Sequence, residues 1–305
     1  MTDATVQSQS FQPEETDSTI RIALLVEYCG HNFFGSQFQP NRPTIQSEVE
    51  EALKQLGLKT SAVSFAGRTD SGVNALGQVA HFDIAAEALR NIPFLPAALN
   101  AKLPDSIAVR ASHFNVSPNF HSRREAQYKW YRYRIYNSRT RSALMGPHAA
   151  HYPQPLDVER MNQAAQLLLG SHDFKSFKDS DTVVTNDICD IKYIKIAKDG
   201  DFINFDVAAD RFLYKMVRNM VGQLLLIGNV EAPQSPASIL EVLAQRDRRS
   251  AAATARPEGL CLMAIVYPTP FNYFELDSRV QQLNHLLKLN QMESLQNENL
   301  FRKAS

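Results

Sequence analysis

The sequence predicts an α+β protein with a duplicated architecture. Short β-branched and aliphatic runs alternate with amphipathic helical stretches, and the second half of the chain repeats the strand-and-helix order of the first. Its 44% hydrophobic and 21% charged residues are those of a globular chain. A length of 305 residues suffices for two domains and a sizeable core.

Residues 20–28 are aliphatic and β-branched with partial alternation, a strand. Residues 44–56 set Ile45, Val49, Ala52, Leu53 and Leu56 on one helical face, with Thr44 as N-cap and Gly57 as the stop. Strands are expected over 62–66 and 78–84, around a loop over 67–77. A short helix is expected within 92–99 and a strand over 107–114. In the second half, residues 128–136 alternate as a strand, with Tyr131, Tyr133 and Ile135 on one face and Trp130, Arg132, Arg134 and Tyr136 on the other. A helix over 158–169 follows. His172-Asp173-Phe174, after Gly170-Ser171, reads as a helix exit and turn. Residues 188–196 and 202–208 form a hairpin turning at Asp199-Gly200. A helix over 212–227 and a strand over 260–267 complete the pattern. The expected divisions are a disordered tail over 1–19, an N-terminal α+β half over 20–116, a C-terminal α+β half over 117–268 and a polar extension over 269–305. Within that extension Val280, Leu283 and Leu287 keep helical spacing.

Several function classes are set aside by composition. No apolar run approaches the roughly 18 residues of a membrane-spanning helix. The first 17 residues hold no Lys or Arg and no apolar block, unlike a targeting peptide. Cys29, Cys189 and Cys261 are isolated and the eight histidines scattered, so no metal site is expected, and a reducing cytoplasm suits the chain. Formal net charge is zero, which counts mildly against a nucleic-acid partner. The distribution points the other way. Arg123, Arg124, Lys129, Arg132, Arg134, Arg139 and Arg141 stand against one acid, Glu125, and are interleaved with Tyr128, Trp130, Tyr131, Tyr133 and Tyr136. That mixture suits a polyanion with flat bases, and equally an ordinary sheet with solvated arginines.

Two further segments carry possible chemistry. Residues 65–81 read FAGRTDSGVNALGQVAH, with glycines flanking Arg68-Thr69-Asp70 in a loop between strands. Such a loop presents Asp70 from a rigid edge, with Arg68 to position or balance it. The plainer reading makes Asp70 or Ser71 the cap of a short helix starting near Val73. Residues 211–222, RFLYKMVRNMVG, seat Phe212, Met216, Met220 and Val221 on a core and line up Arg211, Lys215 and Arg218 on another helical stripe, available to phosphates or a carboxylate.

Together and in this order, these segments resemble the tRNA pseudouridine synthase A (TruA) family. The matching pieces are IALLVEYCGHNFFG, TIQSEVEEAL, FAGRTDSGVNALGQVAHF, NAKLPDSIAVR, FHSRR with YRYRIYN, GSHDFKSF, RFLYKMVRNMVGQLL and ARPEGLCLMAIVYP, across residues 20–268. The resemblance implies two tandem ferredoxin-like halves sharing a central antiparallel sheet, with a cleft between them. It implies a homodimer, no metal and no organic cofactor, and tRNA as substrate at positions 38, 39 and 40 of the anticodon stem-loop. Asp70 matches the catalytic aspartate, Arg68 the arginine two residues before it, Tyr131 the active-site tyrosine and Arg218 the arginine that pairs with the aspartate. Arg123, Lys129, Arg132, Lys215 and Arg211 are the expected substrate-binding cations. The chemistry these types serve begins with a base taken out of the stack. An ionised Asp70 then attacks C1′ or removes the C2′ proton; the glycosidic bond breaks, the uracil rotates, and C5 bonds to C1′. A nearby Arg218 favours the charged carboxylate, and Tyr131 stacks on the base and helps remove the C5 proton.

The sequence departs from that family at Asn74, where His is usual, at Ser36, where Trp is usual, at Cys29, at Lys129-Trp130 and over residues 183–187. The catalytic set is intact, so an active isomerase is expected. The alternative is a catalytically weak tRNA-binding or chaperone protein that keeps the fold. A hydrolase pairing Asp70 with Glu27 rests only on the presence of two carboxylates.

Overall fold

The computed structural model describes residues 19–290 apart from 91, 181 and 183. The expected disordered tail, Thr19 excepted, and the last fifteen residues of the polar extension lie outside the described residues. In chain order the strands are β1 (Thr19–Tyr28), β2 (Ser64–Phe65), β3 (Asn74–Ala85), β4 (Ile107–Val116) and β5 (Tyr128–Tyr136). Then come β6 (Ala150–His151), β7 (Gly170–Asp173), β8 (Ile188–Asp199), β9 (Phe202–Ala209) and β10 (Leu260–Val266). The helices are α1 (Ile45–Gln55), α2 (Leu95–Asn100), α3 (Val158–Gln166), α4 (Met216–Gly228) and α5 (Ser238–Gln245), with a further helical run over 278–290. The chain is α+β, as expected. It divides into two compact units: residues 19–127, 142–150 and 256–277, and residues 128–141, 151–255 and 278–290.

The first unit carries a sheet in the order β4-β1-β3-β10, with β2 on β3. β1 runs antiparallel to both β3 and β4. β3 and β10 are parallel, Cys261 opposite Asn74 and Leu262 opposite Ala75, so the sheet is mixed where a purely antiparallel one was expected. Gly77 allows that approach: a Cβ there would lie 2.4 Å from the Met263 carbonyl oxygen. Ile22 through Val26 are all buried, which explains why β1 reads as a continuous apolar run rather than a clean alternation. α1 starts at a capping box in which the Thr44 hydroxyl accepts from Ser47 N and the Ser47 hydroxyl accepts from Thr44 N. It buries Ile45, Val49, Ala52 and Leu53, and Gly57 follows at φ +75°. The expected strand over 62–66 shrinks to β2, while β3 starts four residues earlier than its pattern, at Asn74. Its first residues are fixed by remote partners, Tyr28 and Cys261, which no local pattern reveals.

The second unit carries the antiparallel order β5-β9-β8-β7. The β8–β9 hairpin pairs Asp199 with Phe202, so its turn residues are Gly200-Asp201, one later than expected, with Gly200 at φ +57°. Residues 170–173 are strand β7 rather than a helix exit. α3 is capped by Asp157, whose carboxylate accepts from Arg160 N at 2.9 Å. Val280, Leu283 and Leu287 of the last helical run are buried, and Asn290 Nδ2 donates to the Lys192 carbonyl. Just before that run, Tyr273 and Phe271 of the first unit place their rings 5.3 and 5.9 Å from Phe120.

His81, on β3, packs 4.8 Å from His121 and bonds through Nδ1 to the Ser122 hydroxyl. Burial, with the charges of His121 and Arg21 adding to it, pushes its imidazole from 6.5 down to about 4. An unfolded chain takes up that proton below pH 6.5, whereas the native one resists until about pH 4. The stability that neutral His81 contributes is therefore complete above pH 6.5 and lost as the pH falls towards 4. Urea midpoints measured between pH 7.5 and 4.5 should fall in the wild type and fall less in His81→Gln.

Candidate active site

The segment around Asp70 is a tight turn, and no helix follows it. Val73 N donates to the Asp70 carbonyl at 3.1 Å, and Gly72 sits at φ +79°, the left-handed value such a turn needs at its third residue. β3 then begins at Asn74. The capping reading of Asp70 and Ser71 therefore falls, because there is no helix to cap. Asp70 is half-buried and Arg68 exposed, both in the first unit.

The turn is braced from behind by buried polar groups that the sequence reading missed. Ser36 Oγ accepts from Thr69 N at 2.9 Å while Ser36 N donates to the Thr69 carbonyl at 3.1 Å. The Tyr28 hydroxyl bonds the Thr69 hydroxyl at 2.9 Å, and Gln78 Nε2 donates to the Gly67 carbonyl at 2.8 Å and to Tyr28 Oη at 3.3 Å. On the other side of Asp70, Ser71 Oγ donates to the Phe33 carbonyl at 3.0 Å. Burial pushes the Tyr28 phenol up to about 12. Two of the departures from the family pattern thus have internal work. Ser36 clips the residue before Asp70. Asn74 is buried, accepts from Gly30 N and donates to the carbonyls of Pro147 and Glu258. Glu27, the second carboxylate of the hydrolase reading, is engaged with Arg110 at 3.2 Å.

In the second unit Tyr131 lies on β5 opposite Val207, buried, with the Phe212 ring edge-on at 5.0 Å. Arg218 stands in the first turn of α4. Its Nε donates to the Ala255 carbonyl at 2.8 Å while Ala255 N donates back to the Arg218 carbonyl at 3.1 Å. The next residue, Asn219, is fully buried: Nδ2 donates to the Phe177 carbonyl, and Oδ1 accepts from Arg248 and from the Thr254 hydroxyl. Asn219 therefore ties down the segment that leads to Ala255 and so the partner of Arg218. The MVRN segment marked it only as the neighbour of an arginine.

The expected helical stripe of Arg211, Lys215 and Arg218 is not formed. α4 starts at Met216 because Lys215 adopts φ +60°, a left-handed conformation that interrupts the helix, and the Asp210 carboxylate accepts from Arg211 N. Lys215 instead pairs with Asp179. Arg132 is likewise engaged within the sheet. Its guanidinium forks onto Asp206, its cross-strand partner, at 2.9 and 3.0 Å, and Trp130 Nε1 shares that carboxylate. Arg134 Nε makes a single, longer bond across to Asn204 Oδ1 at 3.4 Å. Arg123 and Arg124 in the first unit, and Arg139 and Arg141 in the second, are exposed; Lys129 is half-buried. Among the described residues no group of three or more His, Cys, Asp or Glu is placed to hold a metal ion, and no helix is long and apolar enough to cross a membrane.

A family profile described as tRNA pseudouridine synthase matches residues 24–122 and 164–268. A protein of Tolumonas auensis named tRNA pseudouridine synthase A is 41% identical over 249 residues, covering 82% of this chain and 94% of its own length. A Salmonella typhimurium protein of the same name is 41% identical over 259 residues, covering 85% and 94%. A crystal structure of a Cbf5-Nop10-Gar1 complex aligns over 67% of this chain and 45% of that one at 13% identity, with a TM-score of 0.31, a likeness too slight to carry weight.

Proposed function

Because the chain belongs to the tRNA pseudouridine synthase family, it is an isomerase of uridine in tRNA, and we propose that it acts at positions 38, 39 and 40 of the anticodon stem-loop with Asp70 as its catalytic carboxylate. The observation that supports this reading best is the turn itself. Asp70 is held at the apex of a segment braced at Thr69 and at Ser71, with no helix to cap. A rigid turn suits a group that must meet a ribose in one geometry.

In this reading the target uridine leaves the stack, at a cost of roughly a few kcal/mol. Asp70 acts at the ribose, by attack at C1′ or by taking the C2′ proton; either route cleaves the glycosidic bond and leaves the uracil to rotate. C5 then bonds to C1′, displacing the Asp70 carboxylate from C1′ in the first route or with Asp70 returning its proton to C2′ in the second; C5 gives up its proton and N1 takes one up. Arg68 and Arg218 serve the carboxylate, and Tyr131 the base. Arg123, Lys129 and Arg211 contact phosphates, while Arg132 and Lys215 keep the structural pairings seen here. The enzyme works in the cytoplasm as a homodimer. Ser36 and Asn74, two of the departures behind the weak-binder alternative, are buried and hydrogen-bonded to backbone, which favours turnover.

The test is tritium release from a tRNA transcript labelled at uridine C5. Release is expected, and it should vanish when cytidine replaces uridine at positions 38–40. A folded protein that binds the transcript and releases nothing would overturn the proposal.

A further inference from the structure

The loop that braces Asp70 also displays two large apolar side chains to solvent. Phe34 is 43% exposed and Phe38 is 53% exposed. Neither sits on a slack segment. The carbonyls of Gly35 and Ser36 accept from Ile45 N and Gln46 N at the start of α1, and Phe38 N donates to Gln46 Oε1 at 2.9 Å. Phe34 N donates to the Pro43 carbonyl, and Gln39 Nε2 donates back to the Phe34 carbonyl. Between these ties the chain reverses through Gln39-Pro40-Asn41-Arg42, with Asn41 at φ +60° and Gln39 bridged to Arg42. The reversal brings the Arg42 guanidinium over the Phe34 ring, 4.7 Å from its centroid.

The other side of this loop is bonded to the catalytic turn. Phe33 accepts from Ser71 Oγ, Ser36 grips Thr69, and Gly35 at φ +90° lies so close that a Cβ would stand 2.7 Å from the Thr69 carbonyl oxygen. One short segment thus fixes Asp70 from behind and holds two exposed aromatic rings, with a cation over that of Phe34. A core needs neither feature, since both rings are outside it.

We propose that Phe34 and Phe38, with Arg42, form a stacking platform for an unpaired RNA base of the substrate, next to the uridine that reacts at Asp70. Taking that uridine out of the stack uncovers the faces of its neighbours. A flat ring on a rigid loop recovers stacking without regard to base identity, and an adjacent arginine meets the phosphate between them. The proposal rests on the reading of Asp70 as the catalytic carboxylate and adds where the RNA is held.

The experiment measures KM and the equilibrium affinity for an unmodified tRNA transcript over a range of salt concentrations. Phe34→Leu and Phe38→Leu keep apolar bulk but lose the π face, and Phe34→Tyr keeps it. Each leucine variant should weaken binding about 5- to 150-fold, with the loss appearing in KM. The slope of log affinity against log salt should stay at its wild-type value, because no phosphate contact is removed. Phe34→Tyr should bind like the wild type. Leucine variants that bind as tightly as the wild type, or a tyrosine variant that loses as much as leucine, would overturn the platform. Because the wild type is assayed alongside, an inactive wild type sinks the reading of Asp70, whereas an active one with indifferent leucine variants sinks only the platform.

Discussion

Asp70→Asn should lose pseudouridine formation by roughly 10³-fold or more, since in the proposed role an amide supplies neither the nucleophile nor the base at the ribose. The amide has the size of the carboxylate, and the turn is held by bonds that the substitution leaves in place: Val73 N to the Asp70 carbonyl, Ser36 on Thr69, and Ser71 on Phe33. Folding stability should therefore change by less than about 1 kcal/mol. Tritium release from C5-labelled tRNA, run beside a urea melt of each protein, separates the two effects. An asparagine variant that retains a tenth of wild-type turnover would show that the carboxylate is not the reacting group.

Asn219→Ala should carry the largest cost to stability of any substitution near α4. The side chain is wholly buried and satisfies three partners at once: the Phe177 carbonyl, Arg248 and the Thr254 hydroxyl. Removing it leaves an orphaned carbonyl and a guanidinium short of an acceptor, worth about 2–4 kcal/mol together. Asn219→Asp keeps the acceptor and gives up the donor to Phe177, so it should also destabilise. Turnover should fall beyond the loss of folded protein, because residues 248–254 lead into Ala255, the partner of Arg218 on both main chain and side chain. Urea midpoints within about 0.5 kcal/mol of wild type for both variants would contradict the hub described for Asn219.

What could be read from the sequence was what local spacing encodes. α1 lies where its apolar period, Thr44 and Gly57 put it, and β5 has the expected bounds, its alternation broken only where Trp130 is buried beside Tyr131. α4 begins four residues later than its spacing because Lys215 is left-handed, which RFLYK, with no glycine or proline, does not announce. The basic strand reads equally as an RNA footprint and as an ordinary sheet with solvated arginines, and the Asp206 and Asn204 that β9 sets opposite Arg132 and Arg134 leave no mark in the strand's own pattern. The loop around Asp70 was legible because its motif is compact and lies between two strands. Its support was not, since Ser36 and Thr69 are 33 residues apart, and Tyr28 and Gln78 are 50 apart. Buried polar pairs have no periodicity, and only the closed fold brings them together.

The composition of that support also bears on how turnover responds to acidity. Behind the turn stand a serine and a threonine hydroxyl, a glutamine amide and a phenol that keeps its proton to about pH 12. None of them gains or loses charge between mild acid and strong base. The scaffold therefore holds Asp70 with the same bonds across the whole working range, and contributes no inflection to a pH–rate profile. An inflection seen there comes from outside this scaffold, from groups that meet the ribose and the uracil or, below pH 6.5, from the loss of folded protein as His81 takes up its proton.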